Sequence, residues 1–267
     1  MALIQEYNKL YEQNSNIKKI YVNGNRVWPV KIKDYTEPFY VENTSNNAET
    51  LNIVKYYKDA PTLEIEYSTD KTTWQTFGTT STTALTMTLQ PSGKIYLRCN
   101  TDKWASSSSF YFNMITGISK VGGNIMSLLY GSNFTGQERN FPDATSTYVL
   151  CKMFNGNTNL VDASDLLLPA TILTSRCYYY MFSGCTSLTT APALPATTLA
   201  QDCYYYMFYN CRMLNKVKCL ATDISAFNAT KYWLSNVSAT GTFTKKTGVT
   251  WPSGASGIPS GWTVEEV

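Results

Sequence analysis

Residues 177–202 read CYYYMFSGCTSLTTAPALPATTLAQD, and residues 203–223 read CYYYMFYNCRMLNKVKCLATD, so a CYYYMF motif returns after 26 residues. A flanking copy, KMFNGNTNLVDASDLLLPATIL, sets Met153, Phe154 and Leu160 opposite Met181, Phe182 and Leu188, with two extra residues before its own LPAT. A fainter copy, YWLSNVSATGTF, sets Tyr232, Trp233 and Leu234 opposite Tyr206, Met207 and Phe208. Self-similarity at a fixed short period is the mark of units that cannot bury an apolar face alone and must stack. Within a unit, Phe182, Cys185, Leu188, Ala191 and Leu194 recur every third residue, which fits neither a helical stripe nor a strand but suits a tight coil around a core.

A 26-residue period lies in the range of about 20–29 residues over which leucine-rich repeats recur. MFSGCTSLTTAPALPATTL resembles the F-x-x-C-x-x-L repeat of the BspA-like leucine-rich-repeat family over residues 148–240, although Asn157 replaces the cysteine of the first copy. That resemblance implies a bacterial surface adhesin. IKKIYVNGNRVWP, GNIMSLLYGSNFTG and GVTWPSGASGIPSGWTVEEV together resemble virion fibre proteins of Bacteroidales phages, including crAss-like phages. This second resemblance implies a head or tail fibre and carries no matched functional residue.

Outward from the repeats, residues 34–114 show period-two patterning. Leu63, Ile65 and Tyr67 alternate with Glu64 and Glu66, Leu85, Met87 and Leu89 alternate with Thr, and Ile95, Leu97 and Cys99 alternate with Tyr96 and Arg98. With PFYVEN, TLNIVKYY, WQTFGT and SSFYFNM, these give seven strands and predict a β-sandwich. Residues 115–147 carry an apolar patch at Ile125, Met126, Leu128 and Leu129 and are expected to bridge to the repeats and cap them. The repeats are assigned to 148–241 and a C-terminal cap or tail to 242–267. Ahead of all this, residues 1–33 place Ile4, Tyr7, Leu10 and Tyr11 on one face of a short helix, then Asn23-Gly24 between two β-rich runs predicts a hairpin ending in Val27-Trp28-Pro29. The expected fold is mainly β: an N-terminal docking segment, a β-sandwich, and a short leucine-rich-repeat-like solenoid.

Composition narrows the function. The 267 residues include no histidine, which removes Ser-His-Asp hydrolases, His-ligated zinc hydrolases and Cys-His proteases. Charged residues are 15% with a net charge of +3, too few and too dispersed for nucleic acid. Glu64 and Glu66 share one strand face, as solvent-facing glutamates do, and no convergent group accompanies them as an acid–base pair would require. The first residues, MALIQEYNKLYEQN, lack the basic and apolar regions of a secretory signal, and no apolar run is long enough to span a membrane.

Two features bear on a site. Cys177 and Cys203 share one repeat position and Cys185 and Cys211 another, which is compatible with buried thiols or with disulfides between adjacent units, while no spacing resembles a C-x2-C zinc pair. The triplets Tyr178, Tyr179, Tyr180 and Tyr204, Tyr205, Tyr206 would form a ladder of rings suited to a glycan or protein epitope, with at least one ring of each packed between units.

The expectation is a non-enzymatic virion structural protein, with no cofactor or metal, assembled in the host cytoplasm and displayed on the particle. It would dock through Ile4, Tyr7, Leu10, Tyr11, Val27 and Trp28 onto capsid or tail proteins as a homo-oligomer, a trimer by likeness to fibres. A secreted BspA-like adhesin is the alternative, and a glycan-cleaving enzyme the third reading.

Overall fold

The computed structural model describes residues 20–22, 25–27, 34–55, 62–100 and 114–267. The protein is mainly β, and helix among the described residues is confined to a single turn, α1 (Ser127–Tyr130), and the 3-10 turn Gly131–Asn133. The chain divides between Asp34 and Tyr35 into a short N-terminal unit and one larger compact unit. In the N-terminal unit, β1 (Ile20–Val22) and β2 (Asn25–Val27) pair antiparallel with Ile20 opposite Val27, leaving two residues for the turn, as the Asn-Gly signal requires. The helix expected around Ile4 to Tyr11, and Trp28, lie outside the described residues.

In the larger unit the strands are β3 (Tyr40–Glu42), β4 (Glu49–Val54), β5 (Glu64–Ser68), β6 (Gln75–Thr79), β7 (Leu85–Leu89), β8 (Lys94–Asn100), β9 (Met114–Thr116), β10 (Lys120–Asn124), β11 (Asp162–Leu167), β12 (Lys216–Lys218), β13 (Gly241–Lys245) and β14 (Trp262–Glu266). One sheet runs β11-β10-β3-β8-β5-β6 and a second β7-β4-β9. Burial alternates along β4, where Leu51 and Ile53 are buried, Asn52 between them is half-buried and Thr50 is exposed. Val41, Ile65 and Leu97 from the first sheet and Leu51, Leu89 and Ile115 from the second join a single core. The candidate strand SSFYFNM falls outside the described residues except for its last, Met114, in β9.

The repeats form a stack of turns whose backbone bonding alternates residue by residue. The amides of Tyr148, Leu150, Lys152, Phe154 and Gly156 donate to the carbonyls of Ser175, Cys177, Tyr179, Met181 and Ser183 in the next turn. The amides between them, from Cys151, Met153 and Asn155, donate three residues back, to Tyr148, Leu150 and Lys152. The second turn bonds the third in the same way, Tyr178 to Cys203 and Phe182 to Met207, and the third bonds the fourth, Tyr204 to Ala229 and Phe208 to Trp233. Each turn is closed by a left-handed residue every fourth position: Tyr148, Lys152 and Gly156; Arg176, Tyr180 and Gly184; Asp202, Tyr206 and Asn210; Asn228, Tyr232 and Asn236. Left-handed backbone costs an L-residue about 1–2 kcal/mol, so packing between turns must hold the tyrosines there.

This winding sends side chains in by pairs and out by pairs. Cys177 and Tyr178 are buried, Tyr179 and Tyr180 half-buried, Met181 and Phe182 buried again. Like residues then meet along the stack: Phe154 on Phe182 at 5.1 Å, Phe182 on Phe208 at 5.4 Å, Tyr178 on Tyr204 at 5.9 Å and Tyr204 on Trp233 at 6.0 Å. Each fully buried ring of this kind contributes about 1.5–3 kcal/mol. On the opposite side, β11, Thr190, β12, β13 and β14 line up as parallel neighbours.

The two regions are not separate bodies. Strand β10, from the segment expected to be a bridge, pairs antiparallel with β3 on one edge and parallel with β11 on the other, so one sheet continues into the repeats. Phe39 lies 6.1 Å from Phe154, and Lys120 lies within ion-pair distance of Glu42, Asp162 and Asp165. The boundary expected at 114/115 falls inside β9, which pairs with β4. At the far end, residues 242–267 close the stack: Trp233 packs on Trp251 at 5.5 Å, and Leu234 and Thr230 bond Ala255 and Ser256.

Candidate functional site

Of the six tyrosines singled out in sequence, Tyr178 and Tyr204 are 1% exposed and belong to the core, because the winding turns the first ring of each triplet inward. They are withdrawn from the candidate surface. Burial drives both hydroxyls well above the ordinary phenol value, with nearby cysteines adding to the effect.

Tyr179, Tyr180, Tyr205 and Tyr206 face outward and form two rows. Tyr179 lies on Tyr205 with ring centres 5.0 Å apart and planes 11° from parallel, and Tyr180 on Tyr206 at 4.8 Å and 10°. Tyr232 extends the second row at 5.2 Å, tilted by 47°. Within a turn the rows touch as well, Tyr179 to Tyr180 at 4.6 Å and Tyr205 to Tyr206 at 4.7 Å. The faces turned toward each other along the rows are therefore spent on stacking. Desolvation first, and neighbouring tyrosines second, raise the hydroxyls of Tyr179, Tyr180 and Tyr206 above the ordinary phenol value.

A groove of about 530 Å³ is lined by Tyr148, Lys152, Asn155, Gly156, Tyr179, Tyr180, Ser183, Gly184, Tyr209 and Asn210. Lys152 Nζ stands 5.7 Å from the centre of the Tyr180 ring. The Asn155 amide donates to the Ser183 carbonyl at 3.0 Å, and Asn236 donates to Asn210 Oδ1 at 2.9 Å. Sequence reading missed Tyr148, Lys152, Asn155, Tyr209 and Asn210. The recurring glycine or asparagine at 156, 184, 210 and 236 was the available signal, since these residues tolerate left-handed backbone at a turn.

The other candidates resolve locally. All seven cysteines are buried, and Cys185 and Cys211 each donate to a carbonyl of the preceding turn, Phe154 and Phe182, at 3.0 Å. Burial pushes the thiols of Cys203 and Cys219 up to about 12. Glu66 pairs with Arg98 at 2.6 Å, and Arg98 lies 4.2 Å from the Trp74 ring centre, so this glutamate is held in a structural ion pair. Val27 of the docking set closes the β1–β2 hairpin, and Ile4, Tyr7, Leu10, Tyr11 and Trp28 lie outside the described residues. Among the described residues no group of three or more His, Cys, Asp or Glu could hold a metal ion, and no helix is long and apolar enough to cross a membrane. No family model, no curated protein and no solved structure matches this chain.

Proposed function

We propose that the protein is a non-enzymatic structural component of a phage virion, a head or tail fibre in which a β-sandwich carries a short leucine-rich-repeat-like solenoid for attachment to the bacterial surface. The observation that carries this reading is the pair of tyrosine rows. They hold a rigid, regularly spaced line of hydroxyls and ring edges over successive turns, and Tyr loses little conformational entropy on binding. Stacking between turns stabilises these four tyrosines in place, and their half-exposed edges and hydroxyls are left for an external partner. The N-terminal segment would join the particle, and several copies of one tip on one base would add avidity.

Mass spectrometry of purified particles, followed by labelling with an antibody to residues 148–241, tests the assignment. Stoichiometric peptides and label on head or tail are expected; absence of the chain from washed particles overturns the reading.

A further inference from the structure

The parallel strands β12, β13 and β14 end in an uncovered edge. Strand pairing aligns Val217, Phe243 and Val264 in one inward column. The first two are 3% and 0% exposed, whereas Val264 is 44% exposed. Among the described residues β14 is the last strand of its sheet, so Val264 holds a core position with no strand on its outer side.

Backbone bonding shows which groups this edge leaves open. Val267 donates to Lys245 and accepts from Thr247, so both of its main-chain groups face β13. Alternation along the strand turns those of Thr263 and Glu265 the same way, and those of Val264 and Glu266 outward. A row of outward donors and acceptors is the template on which another strand pairs.

The same edge borders a groove of about 360 Å³ whose apolar wall is Val249, Trp251, Ile258, Trp262 and Val264. Trp233 and Trp262 donate their indole N–H to the Gly257 and Ser238 carbonyls at 2.9 and 2.8 Å. That of Trp251 is buried with no acceptor among the described residues. Buried indole donors are ordinarily paired, so this one marks an incomplete contact.

Charge narrows the kind of strand that fits. Glu265, on the outer face of β14, is exposed, meets the Thr244 hydroxyl at 3.5 Å and pairs with no cation among the described residues. Lys245 is taken by Glu266, and Lys218, in the row of Glu265, stands two strands away. A second copy of β14 laid on this edge would gather four carboxylates on two adjacent strands, which opposes self-pairing. An apolar residue beside Val264 continues the column, and a lysine or arginine beside Glu265 neutralises the outer face.

We propose that β14 accepts an extended strand of a partner protein in which apolar residues alternate with lysine or arginine. The site shares no residue with the tyrosine rows and does not depend on the attachment reading.

Fluorescence anisotropy on the purified full chain, with labelled heptapeptides, tests this. A peptide alternating lysine with valine should bind at least about tenfold more tightly than one alternating glutamate with valine or lysine with serine. Val264→Pro removes an outward donor while leaving the bonds to β13 in place, and should abolish binding at an unchanged melting temperature. Glu265→Lys, at an exposed position, should reverse the preference between the lysine and glutamate peptides. Equal binding of the glutamate peptide overturns the charge, and equal binding of the serine peptide overturns the apolar column. No binding, or binding unaffected by both substitutions, overturns the site. A parent that self-associates by light scattering and is made smaller by Val264→Pro would give the edge to a second copy and overturn the partner.

Discussion

Tyr180 and Tyr206 hold their rings 4.8 Å apart and 10° from parallel while both keep left-handed backbone, at φ 55° and 52°. The stack and the strain are two sides of one arrangement. A ring projecting from a left-handed turn residue reaches its equivalent in the next turn, and stacking worth about 0.5–1.5 kcal/mol per pair offsets part of the backbone cost.

Replacing Tyr206 separates the two effects. Tyr206→Ala loses the stack and keeps the strain, whereas Tyr206→Asn loses the stack but supplies a residue that tolerates the left-handed region, as Asn210 and Asn236 do. Both variants should be less stable than the parent, with Asn about 1 kcal/mol better than Ala in urea unfolding. An Ala variant as stable as the Asn variant would mean that the turn does not hold this backbone in solution.

The stacking of units sets a second expectation. Deleting residues 177–202 joins Arg176 to Cys203, and the first-turn amides that donate to Cys177, Tyr179, Met181 and Ser183 would meet Cys203, Tyr205, Met207 and Tyr209 at the same steps. The shortened protein should stay soluble and cooperatively folded. Ending the chain at residue 202 instead uncovers Tyr178 and Phe182 and removes Trp233 and Trp251, so it should aggregate. Size-exclusion chromatography with circular dichroism distinguishes them; equal solubility of the two proteins counts against a shared core.

How much of this was legible in the sequence depends on the range of the interaction. The Asn23-Gly24 hairpin, the alternation of β5, β7 and β8, and the 26-residue register are local or repeated patterns, and each was readable. The inward turn of Tyr178 and Tyr204 was not, because a pattern of two residues in and two out arises from left-handed residues every fourth position, and tyrosine and arginine are not residues that announce such a backbone. The sharing of β10 between β3 and β11 was hidden for another reason: KVGGN is short and glycine-rich, and Gly122 is there because the Tyr40 ring lies across it, 2.3 Å from where a Cβ would stand.

Alkaline pH should unfold the protein through its thiols. Cys203 and Cys219 are raised to about 12 by burial, against an ordinary thiol value of about 8.5. A raised folded value means that the buried, neutral thiol contributes its full stability below the unfolded value, and that this is lost as pH rises between about 8.5 and 12. Each such group then costs about 1.4 kcal/mol per pH unit across that window. Urea midpoints should hold steady to pH 8 and fall steeply above 9, less steeply in a Cys203→Ala, Cys219→Ala double variant. A thiol reagent should leave the native protein unlabelled at pH 8; rapid labelling of either residue without unfolding would contradict its burial.

The last expectation concerns attachment, and it follows from where the chain divides. Tyr35–Val267 carries a core running without interruption from Phe39 to Trp262, whereas residues 1–34 form a unit of their own. Removing residues 1–34 should therefore leave a protein that melts within about 2 °C of the parent, a shift smaller than the loss of about 1 kcal/mol produces in a domain of this size. If the N-terminal unit is the base of a fibre, the same truncation should convert an oligomer into a monomer by light scattering and abolish incorporation when the truncated protein is supplied during particle assembly. A truncated protein that keeps the parent's oligomeric state and enters particles at the parent's copy number would place docking in the larger unit, and the groove along the tyrosine rows would then have to be weighed as a contact with the particle itself.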